Sequence, residues 1–347
     1  MYEVPKVVLM RRFVYLIPFA NGSRFNVQID FTGGCGRSKT FEPADPANQS
    51  SEPRAYRKEE RMNIVVAHDG SKHGKWAMEW LGRLPLTTEP AVTVLHVVDV
   101  ASLRAPFMAQ PVVWANEAIV QQELKQLDVR AKKTMAEAKQ FMMATKLKGR
   151  VVRTQGPIGT TILDKAPKRD GLLMLGSRGL DALDRFMLGS VSTQVTLHAP
   201  CSVLVVKEQP HPLKRIIFAT DGSKTAEKAL QFLLTKLAPD LPNPPGRNPI
   251  EIVVIHSVPF LNYPELKEAG NRLVGQNAEK LIKAGYVVEG VVRLGKPADE
   301  VLKVASKKNA DLIVTGAKGQ GAIVRFLLGS VSTRIVQHST CSVLVVR

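Results

Sequence analysis

The stretch Gly176–Val206 reads GSRGLDALDRFMLGSVSTQVTLHAPCSVLVV, and it returns at Gly316–Val346 as GAKGQGAIVRFLLGSVSTRIVQHSTCSVLVV. Extended two residues upstream, Met174–Val206 and Val314–Val346 share 18 identities in 33 positions without a gap, so the chain is read as an internal repeat. Three glycines, the serine after the last of them and the closing CSVLVV keep their offsets, while the residues between the glycines differ.

The duplication extends upstream. MNIVVAHDGSKHGKWAMEWL (Met62–Leu81) and RIIFATDGSKTAEKALQFLL (Arg215–Leu234) each give a short apolar run, then Asp-Gly-Ser, then an amphipathic helix. Trp76, Ala77, Trp80 and Leu81 keep helical spacing in one copy, and Ala226, Ala229, Leu230, Leu233 and Leu234 in the other. Apolar strands carrying His follow at Ala91–Val98 and Ile250–Val258, third strands at RVVRTQGPIG (Arg150–Gly159) and VVEGVVRLGKPAD (Val287–Asp299), and fourth strands just before Gly176 and Gly316. Five apolar strands alternating with helices imply parallel strands covered on both faces. The expected fold is α/β: two doubly wound Rossmann-like domains, each with a five-stranded parallel sheet flanked by helices, at residues 62–208 and 209–347. The spacing between copies runs 152 at Asp69/Asp221, 160 at His96/His256 and 140 at Gly176/Gly316, which places an insertion in the first copy, in ASLRAPFMAQPVVWANEAIV. Such a proline-bearing apolar loop can lid a site. The link Lys207–Lys214 is short and proline-rich, so the halves are expected to pack together.

The first 61 residues do not follow the pattern. Arg11 and Arg12 interrupt the apolar run and leave too short a core for a signal peptide. The functional protein is expected to begin at or near Met62, with the preceding stretch disordered. The chain of 347 residues carries +17, spread as +3, +6 and +8 over residues 1–61, 62–208 and 209–347. A dispersed excess favours anionic partners in general, and without interleaved aromatics it does not point to nucleic acid. No apolar run is long enough to span a membrane. Three cysteines, Cys35, Cys201 and Cys341, make no disulfide framework; the last two sit in apolar runs, as reduced core cysteines do, and a cytoplasmic setting is expected.

In open parallel sheets ligands bind beyond the carboxyl ends of the strands. There this sequence places Asp69 and Asp221, the residues beside His96 and His256, and the glycine motif. Gly176, Gly179, Gly316 and Gly319 present no side chain to a ligand. Gly189, Ser190, Val191 and Ser192, and likewise Gly329, Ser330, Val331 and Ser332, open a helix whose first amides can hold phosphate oxygens. Arg178 or Lys318 adds countercharge. The competing reading is structural: glycines for tight turns, Ser190 for a helix cap, and Asp69 and Asp221 for N-caps. Conservation of the offsets between two copies favours the phosphate reading. The His pair reads as packed strand-end residues.

These residues resemble the universal stress protein family. The pattern Gly-x-x-Gly-x9-Gly-Ser, an Asp after the first strand and a closing strand after Pro/Thr-Cys-Ser-Val are similar to its ATP-binding branch, over about residues 62–347. The resemblance implies strand order 3-2-1-4-5 in each domain and ATP, with Mg, as ligand. It implies adenine near Ala67, Asp69 and Val97 and near Ala219, Asp221 and Ser257. Phosphates would lie on Gly176, Gly179, Gly189, Ser190 and Val191, and on Gly316, Gly319, Gly329, Ser330 and Val331. Any Mg would come with ATP near Asp69 and Asp221, not on a site made by protein alone. Family members pair through the closing strand, which implies an internal pseudo-dimer or a homodimer. The sequence departs in two places: Ser257 stands where an apolar residue is usual, and Thr160 and Thr161 stand where the second copy has Asp299 and Glu300.

Other chemistries lack their signatures. There is no Gly-x4-Gly-Lys-Ser/Thr loop, no dinucleotide fingerprint at Gly319, no zinc spacing and no placed general base. The expected function is nucleotide-dependent regulation or protection in stress, at most with slow ATP turnover; the alternative is a nucleotide-independent scaffold or chaperone-like module.

Overall fold

The computed structural model describes residues 14–18, 24–28, 61–101, 117–168, 170–179, 188–239, 249–258, 263–319 and 328–347. They fall into two units, Met1–Glu60 and Arg61–Arg347. In the first, β1 (Val14–Pro18) pairs antiparallel with β2 (Arg24–Gln28). Val14–Pro18 is a continuous apolar run, and Arg24–Gln28 alternates polar and apolar residues, as suits a strand. The remainder of that unit, Cys35 included, lies outside the described residues.

The second unit contains β3 (Asn63–Ala67), α1 (Lys72–Leu81), β4 (Ala91–Val98), α2 (Glu117–Ala144), β5 (Gly149–Gln155), α3 (Ile158–Lys165), β6 (Leu172–Gly176), α4 (Ser190–His198) and β7 (Ser202–Val206). It continues with β8 (Arg215–Ala219), α5 (Lys224–Lys236), β9 (Glu251–Val258), α6 (Pro264–Lys283), β10 (Val287–Leu294), α7 (Pro297–Lys307), β11 (Leu312–Gly316), α8 (Ser330–His338) and β12 (Ser342–Val346). Instead of two separate sheets there is one of ten strands, in the order β10-β9-β8-β11-β12-β7-β6-β3-β4-β5. Eight of its nine strand pairings are parallel, as the apolar runs imply, but the central one is not: β7 and β12 pair antiparallel, with Leu344 opposite Leu204. Both strands are buried at every position, so neither tolerates a solvated edge, and each covers the other.

Two apolar layers follow from the two-residue alternation of strand side chains. On one face Ile64, Val66, Phe218 and Leu344 meet Trp80 of α1, Met142 of α2, Leu233 of α5 and Leu281 of α6. On the other, Val65, Leu173, Ile217 and Val343 meet Ile162 of α3, Val195 of α4, Val304 of α7 and Ile335 of α8. Each layer draws on both repeats. The insertion of the first copy lies partly in α2, which has 28 residues against 20 in α6. Residues 102–116, where a lid was expected, lie outside the described residues, as do 180–187 and 320–327 within the glycine motifs.

Candidate functional site

Parallel pairing brings the strand ends to one level. Ala67 is in register with Leu95 of β4 and Leu175 of β6, so Asp69, Val97 and Ser177, each two residues on, stand together at the carboxyl edge. In the second repeat Ala219 is in register with Ile255 and Thr315, which brings Asp221, Ser257 and Ala317 to the same edge. Ala67, Val97 and Ala219 are half-buried beside the apolar layer. Ser257 is half-buried, and its hydroxyl donates to the Gly295 carbonyl at 2.9 Å, so it is held by the neighbouring strand end.

The Asp-Gly-Ser turn is built the same way twice. Gly70 and Gly222 have φ of 87° and 74°, the left-handed region that favours glycine. Asp69 Oδ1 accepts the Ser71 amide at 2.9 Å, and Asp221 Oδ1 accepts the Ser223 amide at 3.0 Å. The helix caps are therefore the serines: Ser71 accepts from the Gly74 amide at 3.0 Å, and Ser223 from the Ala226 amide at 3.2 Å. This corrects the N-cap alternative for the aspartates. One oxygen of each holds a turn, while the other faces the glycine motif: a Cβ on Gly179 would lie 2.9 Å from Asp69 Oδ2, and one on Gly319 would lie 2.7 Å from Asp221 Oδ2.

The three glycines of each motif have different physical reasons. A Cβ on Gly176 would sit 2.6 Å from the His73 backbone, and one on Gly316 would sit 2.6 Å from the Thr225 backbone. The first glycine is thus required where the loop crosses the start of α1 or α5. The second leaves room for the aspartate. The third, Gly189 or Gly329, is the N-cap of α4 or α8 in ordinary extended backbone, and an added Cβ would meet only normal contacts at 3.4–3.6 Å. Among the described residues neither backbone angle nor packing demands glycine there, although an N-cap favours glycine over alanine.

Ser190 and Ser330 are the first residues of α4 and α8, so they do not cap them. Gly189 and Gly329 donate their own amides to Ser177 and Ala317, at 2.9 and 2.8 Å, and so offer no free amide. The first intrahelical bonds run from Thr193 to Gly189 and from Thr333 to Gly329. The amides of Ser190, Val191 and Ser192, and of Ser330, Val331 and Ser332, precede those bonds and form the donor ends of their helices. Ser190 and Ser330 are exposed, whereas Ser192 and Ser332 are buried and donate their hydroxyls to the carbonyls of Gly176 and Gly316 at 2.8 and 2.7 Å. These two serines hold each helix start against its strand end.

The histidines are structural. His96 Nδ1 donates to the His68 carbonyl, and His256 Nδ1 to the Thr220 carbonyl, both at 2.8 Å. The sequence reading passed over His68, which is buried beside Asp69 with neither ring nitrogen hydrogen-bonded. Burial is the main cause that lowers its pKa to about 4; Asp69 and Glu137 pull it back up, and His96 and Lys75 push it further down. The two loops also differ in their tether. Thr225 Oγ1 bonds both the carbonyl and, at 3.2 Å, the amide of Lys318, whereas the corresponding residue in the first repeat is His73, stacked edge-on against Trp76 at 4.8 Å. The acid of the second repeat is also engaged in packing: Asp299 pairs with Arg334 at 2.8 Å and joins α7 to α8, a link that Thr160 and Thr161 leave out. Burial raises the thiols of Cys201 and Cys341 to about 11.

Chemically, each edge offers a carboxylate oxygen, a side-chain-free turn and a helix donor end. That set fits a ligand with a hydroxyl-bearing part and an anionic tail. Among the described residues no group of three or more His, Cys, Asp or Glu side chains is placed to hold a metal ion.

Comparison with known proteins gives a consistent picture. The model of the universal stress protein family matches residues 60–207 and 212–347. A universal stress protein of Mycobacterium tuberculosis is 26% identical over 317 residues, covering 82% of this chain and 95% of that protein. One of Mycobacterium bovis is 28% identical over 300 residues, covering 82% and 96%. The crystal structure of a universal stress protein from Archaeoglobus fulgidus, 20% identical, superposes with a TM-score of 0.57 over 82% of this chain and 98% of that one, a likeness of fold.

Proposed function

The chain belongs to the universal stress protein family, a stress-response family, and from that premise we propose that both of its repeats bind ATP as a regulatory ligand. Residues 62–208 and 209–347 are read as two modules, each with strand order 3-2-1-4-5 and one cradle. The observation that carries the proposal is the third glycine. Gly189 and Gly329 stand at helix donor ends where no described residue packs tightly enough to require glycine, beside an aspartate oxygen that faces the same turn.

In this reading the adenine lies against Ala67 and Val97, or against Ala219 and Ser257. Asp69 and Asp221 accept from the ribose hydroxyls through Oδ2. The phosphates take the amides of Ser190 and Val191, or of Ser330 and Val331, over Gly179 and Gly189, or Gly319 and Gly329. Gly176 and Gly316 act behind the cradle, by letting the loop cross the helix start. ATP would supply a polyanion and bring any Mg with it, near the carboxylates of Asp69 and Asp221. Nδ1 of His96 and of His256 is held by the backbone carbonyl that follows the first strand of its repeat, a structural role that the binding reading leaves in place. Buried thiols with raised pKa, and the absence among the described residues of a helix long and apolar enough to cross a membrane, fit a cytoplasmic protein.

A ligand that binds only the folded chain raises its stability by mass action. Urea unfolding of the intact protein is expected to shift to higher midpoint with ATP and Mg and not with tripolyphosphate and Mg. The scaffold reading draws on the joined sheet at β7 and β12 and predicts no shift with either; that result would reject nucleotide binding.

A further inference from the structure

The antiparallel strand pair at the centre is followed on each side by a cation that reaches into the other repeat. After β7, the Lys207 amide donates to Ser342 Oγ at 3.3 Å, and Lys207 Nζ donates to the carbonyls of Ser339 and Gln337 at 2.6 and 3.4 Å, at the end of α8. After β12, the Arg347 amide donates to Ser202 Oγ at 3.4 Å, and its guanidinium donates to the carbonyls of Thr196 and Leu197 at 2.6 and 3.1 Å, at the end of α4. Lys207 and Arg347 occupy matching positions in the repeat, as do Ser202 and Ser342, Cys201 and Cys341, and Gly171 and Asp311.

What lies beyond them differs. Past Lys207 the chain runs on as a proline-bearing segment along the wall formed by Cys341, Ser342 and Asp311. Leu213 is buried there, His211 stands 3.5 Å from Asp311, and the Lys214 and Arg215 amides both donate to Asp311 Oδ2, at 2.6 and 2.7 Å. Glu208 is drawn in with it, and burial raises its carboxyl pKa. Beside Arg347 the matching wall, Gly171, Cys201 and Ser202, borders a cavity of about 560 Å³ between the repeats. Among the described residues its charged lining is Lys168, Lys228, Lys236, Lys318 and Arg347 against Asp170. Among the described residues none of the four lysines makes a salt bridge. At the positions matching Trp76 and Leu84 of the first repeat, α5 carries Lys228 and Lys236, and both line the cavity.

We propose that this cavity docks an extended acidic peptide of a partner protein, laid along the seam as segment 207–214 is laid along its twin. The twin shows that the wall accepts a proline-bearing segment outside helix and strand, with a half-buried carboxyl just past the crossing point. The extra lysines set the sign of the charge the partner must bring.

The test is a fluorescence-anisotropy titration of the full chain. The probe is a labelled synthetic octapeptide copying Lys207–Lys214, with Lys207, His211 and Lys214 replaced by glutamate. Saturable binding is expected, weaker at higher salt, and reduced at least about tenfold in the Lys228→Glu/Lys236→Glu variant. Both lysines lie outside the proposed ATP cradles, and circular dichroism together with an unchanged urea midpoint verifies that the variant is folded. No saturable binding, or equal binding by the variant, overturns the proposal. So does displacement of the peptide by tripolyphosphate at equal concentration, which would make the cavity a plain anion site.

Discussion

At the scale of single residues, the repeat separates glycines needed by the fold from glycines needed by a ligand. Gly176→Ala and Gly316→Ala push a methyl into backbone at 2.6 Å and are expected to cost about 1–3 kcal/mol of stability by urea unfolding. Gly189→Ala and Gly329→Ala meet only ordinary contacts among the described residues and lose the N-cap preference for glycine, so they are expected to cost less, about 0.5–1 kcal/mol. Equal costs at both positions would remove the argument for a ligand-facing glycine. His68 supplies a second residue-scale prediction. Its pKa is lowered from 6.5 to about 4 in the folded chain, so between those values the unfolded chain binds the proton that the folded chain refuses. Stability is therefore expected to fall as pH drops from about 6.5 to about 4, by up to about 3 kcal/mol from this residue. Replacing His68 with Thr, the residue at the matching position 220, should flatten that part of the stability–pH curve; an unchanged slope would contradict the assignment. The glycines and aspartates were legible because two copies kept them in place. Ser71, Ser223 and Thr225 were not, since their partners Arg178 and Lys318 lie more than about ninety residues away and only folding brings them near.

At the scale of elements, strands and helices were legible wherever apolar period and turn chemistry agreed, as in Ile64–Val66 followed by Asp-Gly-Ser. The β1–β2 hairpin was not, because so short an apolar run resembles an irregular segment. Helix ends show what joins the repeats. Lys207 and Arg347 each place a cation on the last carbonyls of a helix from the other repeat, where the helix dipole favours positive charge. Arg347→Met is expected to cost about 1–2 kcal/mol. Lys207→Met should cost less, since burial has already lowered the lysine to about 8 and its removal relieves that desolvation. The two urea midpoints check the order, and a larger loss at Lys207 would reverse the account of which clasp holds more.

At the scale of the whole molecule, the repeat by itself gave two copies, and their pairing through the closing strands was implied only by the family resemblance, without its antiparallel sense. Two runs of CSVLVV, apolar on both faces, hide the choice between parallel neighbours inside a repeat and an antiparallel partner across it. Because Arg61–Arg347 shares one sheet and two continuous apolar layers, it is expected to unfold as one cooperative block. The tryptophans, Trp76, Trp80 and Trp114, all lie in the first repeat, so their fluorescence reports that half while far-ultraviolet circular dichroism reports both. Coincident urea transitions are predicted, and a separated fluorescence transition would show that the halves unfold independently. The central claim, ATP held at two repeated cradles, is tested most directly by equilibrium dialysis of labelled ATP with Mg against the intact chain and its Gly189→Val/Gly329→Val variant. The account predicts saturable binding by the unaltered chain and at least about a tenfold loss in the variant, with the fold retained, because the new side chains fill the cradles from the open side. No saturable binding by the unaltered chain, or equal affinity in the folded variant, would contradict it.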